Sequence, residues 1–196
     1  MKIPIFPLNG AVIFPKKNLP LNIFEKRYVD MVDFSLSANR LIGMVQQKDS
    51  GELYDIGCYG KITVFNETPD KKYLINLEGV NCFKIIKEIK TKHEFRVCEI
   101  EIIDNFKTTD LLDDLKPRIF NSFKKYNRVK NINIDLQDFY KLKIDDLLKL
   151  IVMISPFDAK VKQMFLELKT NKELYDNVLT ALEIELVSSK ETTSIN

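Results

Sequence analysis

One histidine and three cysteines, together with two adjacent acidic pairs, are what this 196-residue chain offers to catalysis or metal binding. His93 lies in Lys90-Thr-Lys-His-Glu94, where the flanking pattern predicts a turn between two strands. A general base needs an orienting partner and a pocket, so a solvated turn histidine is the expectation. Cys58, Cys82 and Cys98 are far apart and form no Cys-x-x-Cys pair. That spacing argues against zinc and for free, mostly buried thiols in a reducing cytoplasm. Asp113-Asp114 and Asp145-Asp146 are neighbours in predicted helices, where adjacent residues do not share a face. Both pairs suit the positive ends of helix dipoles instead. No serine stands in a Gly-x-Ser-x-Gly elbow. The Gly60-Lys61 step is followed by Ile62 and lacks the glycine-rich loop that cradles phosphates. The expectation is a chain without catalytic residues, metal or cofactor.

One basic cluster points elsewhere. Lys124, Lys125, Arg128 and Lys130 surround Phe123 and Tyr126 with no acid between them. Basic residues interleaved with aromatics can track and stack single-stranded nucleic acid. Phe123 and Tyr126 also continue an apolar stripe from Leu112, Leu115 and Ile119, which would turn both rings to a core. The basic residues are then the wet face and C-terminal end of a helix, where cations are favoured. The second reading is preferred.

Global charge gives no pull toward nucleic acid or membrane: 30 Lys and Arg stand against 28 Asp and Glu. No run reaches the ~20 apolar residues of a membrane helix, and Lys149 interrupts the best candidate, Leu147–Ile154. Pro4 and Pro7 soon after Lys2 do not suit a secretory leader.

The elements that would position any site fall into two parts. Residues 1–105 have strand character. Gly57 to Asn66 alternates, Thr68-Pro-Asp-Lys-Lys72 turns, and segments at 73–77, 82–89 and 95–103 return in antiparallel fashion. Cys98, Ile100 and Ile102 face one way there, Glu99 and Glu101 the other. Tyr28, Met31, Val32 and Leu36 predict a short helix, and Leu41–Val45 a buried strand. Residues 106–190 read as helices. Pro117 must kink or restart the first of them, and Ser155-Pro156 resembles a fresh helix start. Thr170 and Glu173 fit a capping box. Leu174, Val178, Leu182 and Leu186 form the last stripe, with 191–196 as a frayed tail.

The opening is the most specific stretch. Ile3 to Leu8 and Val12 to Pro15 are apolar runs ending near prolines, and Leu19-Pro-Leu-Asn-Ile-Phe-Glu-Lys-Arg-Tyr28 follows. It suits an edge strand, a second short strand and a loop before a helix. This series resembles the Lon protease N-terminal, or substrate-binding, domain. The resemblance continues at Ile42–Val45, Gly57–Ile62, Leu77–Val80 with Phe83, and Ser155-Pro156-Phe157. It departs at Asn22, Lys26 and Cys82, where the family often has His, Pro and Arg.

The resemblance implies an α+β fold: a PUA-like antiparallel sheet or partly closed barrel over 1–105, then a helical subdomain. The Ser-Lys protease and nucleotide motifs of whole Lon proteases are not found in this sequence. It implies a stand-alone, non-enzymatic module that binds unfolded or partly exposed polypeptide, working with a protease component or in protein quality control. Phe14, Pro15, Leu21, Ile23 and Phe24 are the candidate binding residues. The same side chains could instead close the barrel, and both readings stay open for each. Glu25, Arg27 and Tyr28 are expected to anchor the loop and helix start. A PUA-like shape with the Lys124–Lys130 cluster makes RNA binding the alternative.

Overall fold

The computed structural model describes residues 1–106, 113–132 and 134–193; Thr109, Leu112 and Asn133 lie outside them. The fold is α+β. Among the described residues six strands form one sheet: β1 (Lys2–Pro7), β2 (Asn18–Ile23), β3 (Leu41–Val45), β4 (Ile56–Glu67), β5 (Tyr73–Ile89) and β6 (Arg96–Ile103). Their order is β2-β5-β4-β3-β1-β6, and a further β5–β6 pairing closes five of them into a ring. The ring forms because β5 is a single long strand. Its first part pairs with β2 at Tyr73–Glu78, and its later part with β6 at Cys82–Ile89. The sequence had suggested two separate strands there.

Two expectations about the opening are corrected. The first apolar run is not an edge strand: β1 pairs parallel with β3 and antiparallel with β6. The pairings are staggered, β6 taking Lys2–Ile5 and β3 taking Ile5–Pro7. Pro4 therefore lies where β1 has only one neighbour, so its missing amide hydrogen leaves no gap in a ladder. The parallel β1–β3 pair makes the sheet mixed, and β1 is buried on both faces as such strands are. The second run, Ala11–Pro15, is loop. The true edge strand is β2. Inside the ring, Ile3, Ile5, Val45, Tyr59, Phe83, Cys98 and Ile100 form one apolar cluster.

Among the described residues there are five α-helices: α1 (Lys26–Leu36), α2 (Lys116–Val129), α3 (Ile144–Ile154), α4 (Ala159–Glu167) and α5 (Asn171–Thr193). Pro117 restarts rather than kinks: it occupies the first turn of α2, where no intrahelical donor is needed. α4 begins at Ala159, not at Pro156. Asp158 supplies the cap, accepting the Lys160 amide at 3.2 Å. The box at α5 is formed as expected. Thr170 Oγ1 accepts the Glu173 amide at 3.1 Å, and the Glu173 carboxylate accepts the Thr170 and Lys169 amides at 3.0 and 2.9 Å. Helix continues through Thr193, so part of the expected frayed tail is helical; 194–196 lie outside the described residues.

The chain divides into two compact units, residues 1–105 with 156–167, and 106–155 with 168–196. The sequence placed all of 106–190 together. α4 instead belongs with the sheet, its buried face made of the apolar Phe165 and Leu166 together with the polar Lys162 and Gln163. The Gln163 amide donates to the Ile56 carbonyl at 3.0 Å and the Gln46 amide to the Ala159 carbonyl at 2.9 Å. The Lys162 ammonium, 5% exposed, donates to the Gly10 carbonyl at 3.0 Å. A buried face that is half polar gives no continuous apolar stripe to follow, so periodicity could not assign it. In the other unit, Ile119, Phe123, Tyr126, Leu147, Leu148, Ile151, Leu174, Val178 and Leu182 supply the core.

Candidate functional site

The apolar residues of the opening loop divide sharply by burial. Phe14 is 0% and Ile23 2% exposed. Both are buried; for Phe14 this corrects its placement on a binding surface, while Ile23 still borders the groove described next. Pro15 and Leu21 are half-buried, and Phe24 is 65% exposed. Phe14 is held inside because its loop lies against β5 at Gly79. The Lys16 amide donates to the Gly79 carbonyl at 2.7 Å, and the Gly79 amide donates to the Lys17 carbonyl at 2.8 Å. A side chain at position 79 would meet the Phe14 carbonyl oxygen at 2.1 Å, so only glycine allows this approach.

A groove of about 370 Å³ opens beside the end of β2. One wall is Leu21, Asn22, Ile23 and Phe24. Phe6, Pro7, Leu8 and Asn9 form the other, with Gln47 beside them, while Glu25, Arg27 and Tyr28 close one end. The second wall is fixed by hydrogen bonds from main-chain amides to one carbonyl and two side-chain oxygens. The Leu8 amide donates to the Val45 carbonyl at 2.9 Å, the Gln47 amide to Asn9 Oδ1 at 2.6 Å, and the Gly10 amide to Gln46 Oε1 at 3.0 Å.

The closed end is built from three consecutive roles. Glu25 caps α1 through its backbone, accepting the Tyr28 and Val29 amides at 2.9 and 3.0 Å. Its carboxylate makes no cap bond, because Oε2 takes both Nε (3.0 Å) and Nη2 (2.8 Å) of Arg27. That bond holds the Arg27 guanidinium above its ordinary pKa. The guanidinium lies over the Tyr28 ring, 4.6 Å from its centroid. Tyr28 in turn meets Phe6 edge to face at 4.7 Å, and burial raises its phenol pKa. The groove thus holds an internally neutralised ion pair, amides and apolar surface.

Elsewhere the chemistry is quiet. Burial pushes the Cys98 thiol up to about 11, away from thiolate reactivity, and Cys58 and Cys82 are buried as well. His93 is not merely solvated: its ring stacks on Phe95 at 4.6 Å and approaches Phe34 at 5.2 Å. Sequence spacing missed this contact because Phe34 belongs to α1. Among the described residues no cluster of three or more His, Cys, Asp or Glu could hold a metal, and no helix is long and apolar enough to cross a membrane.

In the basic cluster, Phe123 and Tyr126 are 0% and 1% exposed, so they offer no stacking platform. Burial pushes the Tyr126 phenol to about 12. Lys130 pairs with Glu185 at 2.6 Å, while Lys124, Lys125 and Arg128 are exposed on the wet face.

A family model described as the ATP-dependent protease La (LON) substrate-binding domain matches residues 2–183. Among curated proteins, the Lon protease of Desulfosudis oleivorans is 23% identical over 202 residues, covering 99% of this chain and 24% of that protease. The Lon protease of Buchnera aphidicola is 24% identical over 197 residues, covering 95% of this chain and 25% of its own. The chain therefore spans about a quarter of the length of these relatives. Two solved structures share the fold. A Lon N-terminal domain protein from Xanthomonas campestris has a TM-score of 0.68 at 16% identity, over 92% of this chain and 98% of that one. The N-terminal domain of Mycobacterium avium complex Lon protease gives 0.64 at 11% identity, over 93% and 98%.

Proposed function

The chain belongs to the ATP-dependent protease La (LON) substrate-binding domain family, and we propose on that basis that it is a non-catalytic module binding unfolded or partly exposed polypeptide in a proteolytic or quality-control setting. The observation that carries the reading is the groove beside β2, with Phe24 65% exposed at its mouth. An aromatic ring left in water next to a preformed hollow is a natural anchor for apolar segments of a partner. Fixed walls favour this too, since little ordering entropy is lost on binding. Leu21 contributes a half-buried apolar surface, and Pro15 lies in the loop leading to β2. Glu25, Arg27 and Tyr28 hold the end of the groove in shape.

The cellular role is that of an adaptor presenting clients to a protease component. The test is binding of fluorescein-labelled, reduced and carboxymethylated lysozyme, followed by anisotropy. Phe24→Asp should weaken it by about tenfold or more, with stability within about 0.5 kcal/mol of the parent because the side chain is already exposed. Unchanged affinity in a folded Phe24→Asp protein refutes the placement of the site. No affinity of the parent for the unfolded probe refutes the function.

A further inference from the structure

The groove lies along the edge of a strand rather than over one face of the sheet. Successive side chains of a strand point to opposite faces, so a hollow over one face would be lined by Leu21 and Ile23 alone. Here Leu21, Asn22, Ile23 and Phe24 all line it. β2 ends the strand order and, among the described residues, has β5 as its only neighbour. None of the turn, loop and cap backbone bonds of the described residues involves 18–23.

Pro20 fixes which backbone groups face that open edge. It pairs with Asn76 of β5 and has no amide hydrogen to give. In an antiparallel ladder, alternate residues turn both N–H and C=O toward the partner strand, and the residues between turn both away. Pro20 fits only the outward-turned set, which therefore also contains Asn18 and Asn22. The Asn18 side chain accepts from the Asn76 amide at 2.8 Å, tying that end to the sheet. Asn22 borders the groove and presents both a donor and an acceptor.

We propose, resting on the polypeptide-binding reading above, that the groove takes an extended, uncharged chain segment as an added strand on β2, paired through the main chain of Asn22. The occupant follows from the charge of the site. Its charged lining residues, Glu25 and Arg27, satisfy each other at 2.8 Å, which leaves a groove suited to a segment carrying no charge. The lining stretch of four residues matches roughly 13 Å of extended ligand. Main-chain pairing makes recognition tolerant of sequence, as a binder of many unfolded clients needs. Pro20 keeps the pairing short: it interrupts the edge so that two copies cannot zip together along β2.

The test uses a fluorescein-labelled eight-residue peptide of alternating Val and Thr, and two versions N-methylated at every Val or at every Thr. One methylated set should bind about tenfold or more weakly, because it loses the amide that pairs with Asn22. The other should stay within about twofold, since its amides face away. Asn22→Pro, which removes the backbone donor at that position, should lose about tenfold. Thermal unfolding confirms that the variant folds. Equal behaviour of the two methylated peptides overturns the inference whatever the variant does, as does failure of the parent peptide to bind. If carboxymethylated lysozyme still binds and Phe24→Asp still weakens that, the polypeptide-binding reading survives and strand addition alone is lost.

Discussion

Replacing Gly79 with alanine should unseat the loop that leads into the groove. The added Cβ would stand 2.1 Å from the Phe14 carbonyl oxygen and 2.9 Å from its carbon. Ordinary C···O contacts begin at about 3.3 Å, so the loop must move by about an ångström. That movement stretches both hydrogen bonds between the strand and the loop, Lys16 N–H to Gly79 and Gly79 N–H to Lys17, at about 1 kcal/mol each. It also displaces Phe14, which is 0% exposed, and misfit in a packed core costs about 1–3 kcal/mol. The expected loss is about 3–5 kcal/mol. Gly10→Ala is the control, because Gly10 has φ +76° and nothing within 4 Å of an added Cβ. Its cost should be backbone strain alone, about 1–2 kcal/mol. Urea unfolding followed by circular dichroism compares the two, and hydrogen exchange of β2 and β5 amides isolates the sheet, since two units need not unfold together. Gly79→Ala no worse than Gly10→Ala would falsify the claim that close approach fixes this loop.

Burial lowers the pKa of Lys162 below its ordinary 10.5, so the unfolded chain binds more protons between the lowered native value and 10.5. Stability should rise with pH across that window, and Lys162→Met should flatten the rise in alkaline thermal scans; an unaltered slope refutes the assignment. Backbone amides of Lys169 and Thr170 lower the pKa of Glu173 below 4.5, so its contribution is present above 4.5 and lost as pH falls through the lower native value. Glu173→Gln should shrink the acid-side loss in scans of melting temperature against pH, and Thr170→Ala should cost about 1 kcal/mol at neutral pH. Cys58, Cys82 and Cys98 are each 0% exposed, so a thiol-reactive chromophore should label them only as the sheet opens and at once in denaturant; fast labelling of the native protein contradicts the packing.

Local chemistry was legible where one element decides the outcome. The capping box at Thr170 and Glu173, the restart at Pro117 and the burial of Phe123 and Tyr126 all follow from residue type and spacing within a single helix. What could not be read depends on partners distant in sequence. β1 looked like an edge because prolines punctuate it, yet staggered neighbours accommodate Pro4. Phe14 and Phe24 are the same residue type in the same apolar opening, yet one is buried in a loop that lies close against Gly79 and the other stands in water. The groove itself needed Phe6–Asn9 brought beside β2, which the opening motif does not encode by spacing. α4 was misassigned because half of its docking residues, Lys162 and Gln163, are polar types that periodicity reads as solvent-facing.

Those same polar residues link the groove to a part of the chain far from it. Gln46 accepts the Gly10 amide at 3.0 Å and donates to Ala159 at 2.9 Å, so one side chain joins the turn after β1 to the start of α4. Lys162 binds the carbonyl of the same Gly10. Gly10 directly follows Asn9, a wall residue, and Gln46 directly precedes Gln47, another. A groove wall built only from loop would be free to collapse into the hollow or swing away from it. Tying it through buried hydrogen bonds, whose loss leaves unsatisfied partners costing about 1–3 kcal/mol each, holds the hollow open without filling it with apolar side chains. The polar pair within the buried face of α4 thus has a physical reason: the helix fastens the wall of the groove as well as covering the sheet.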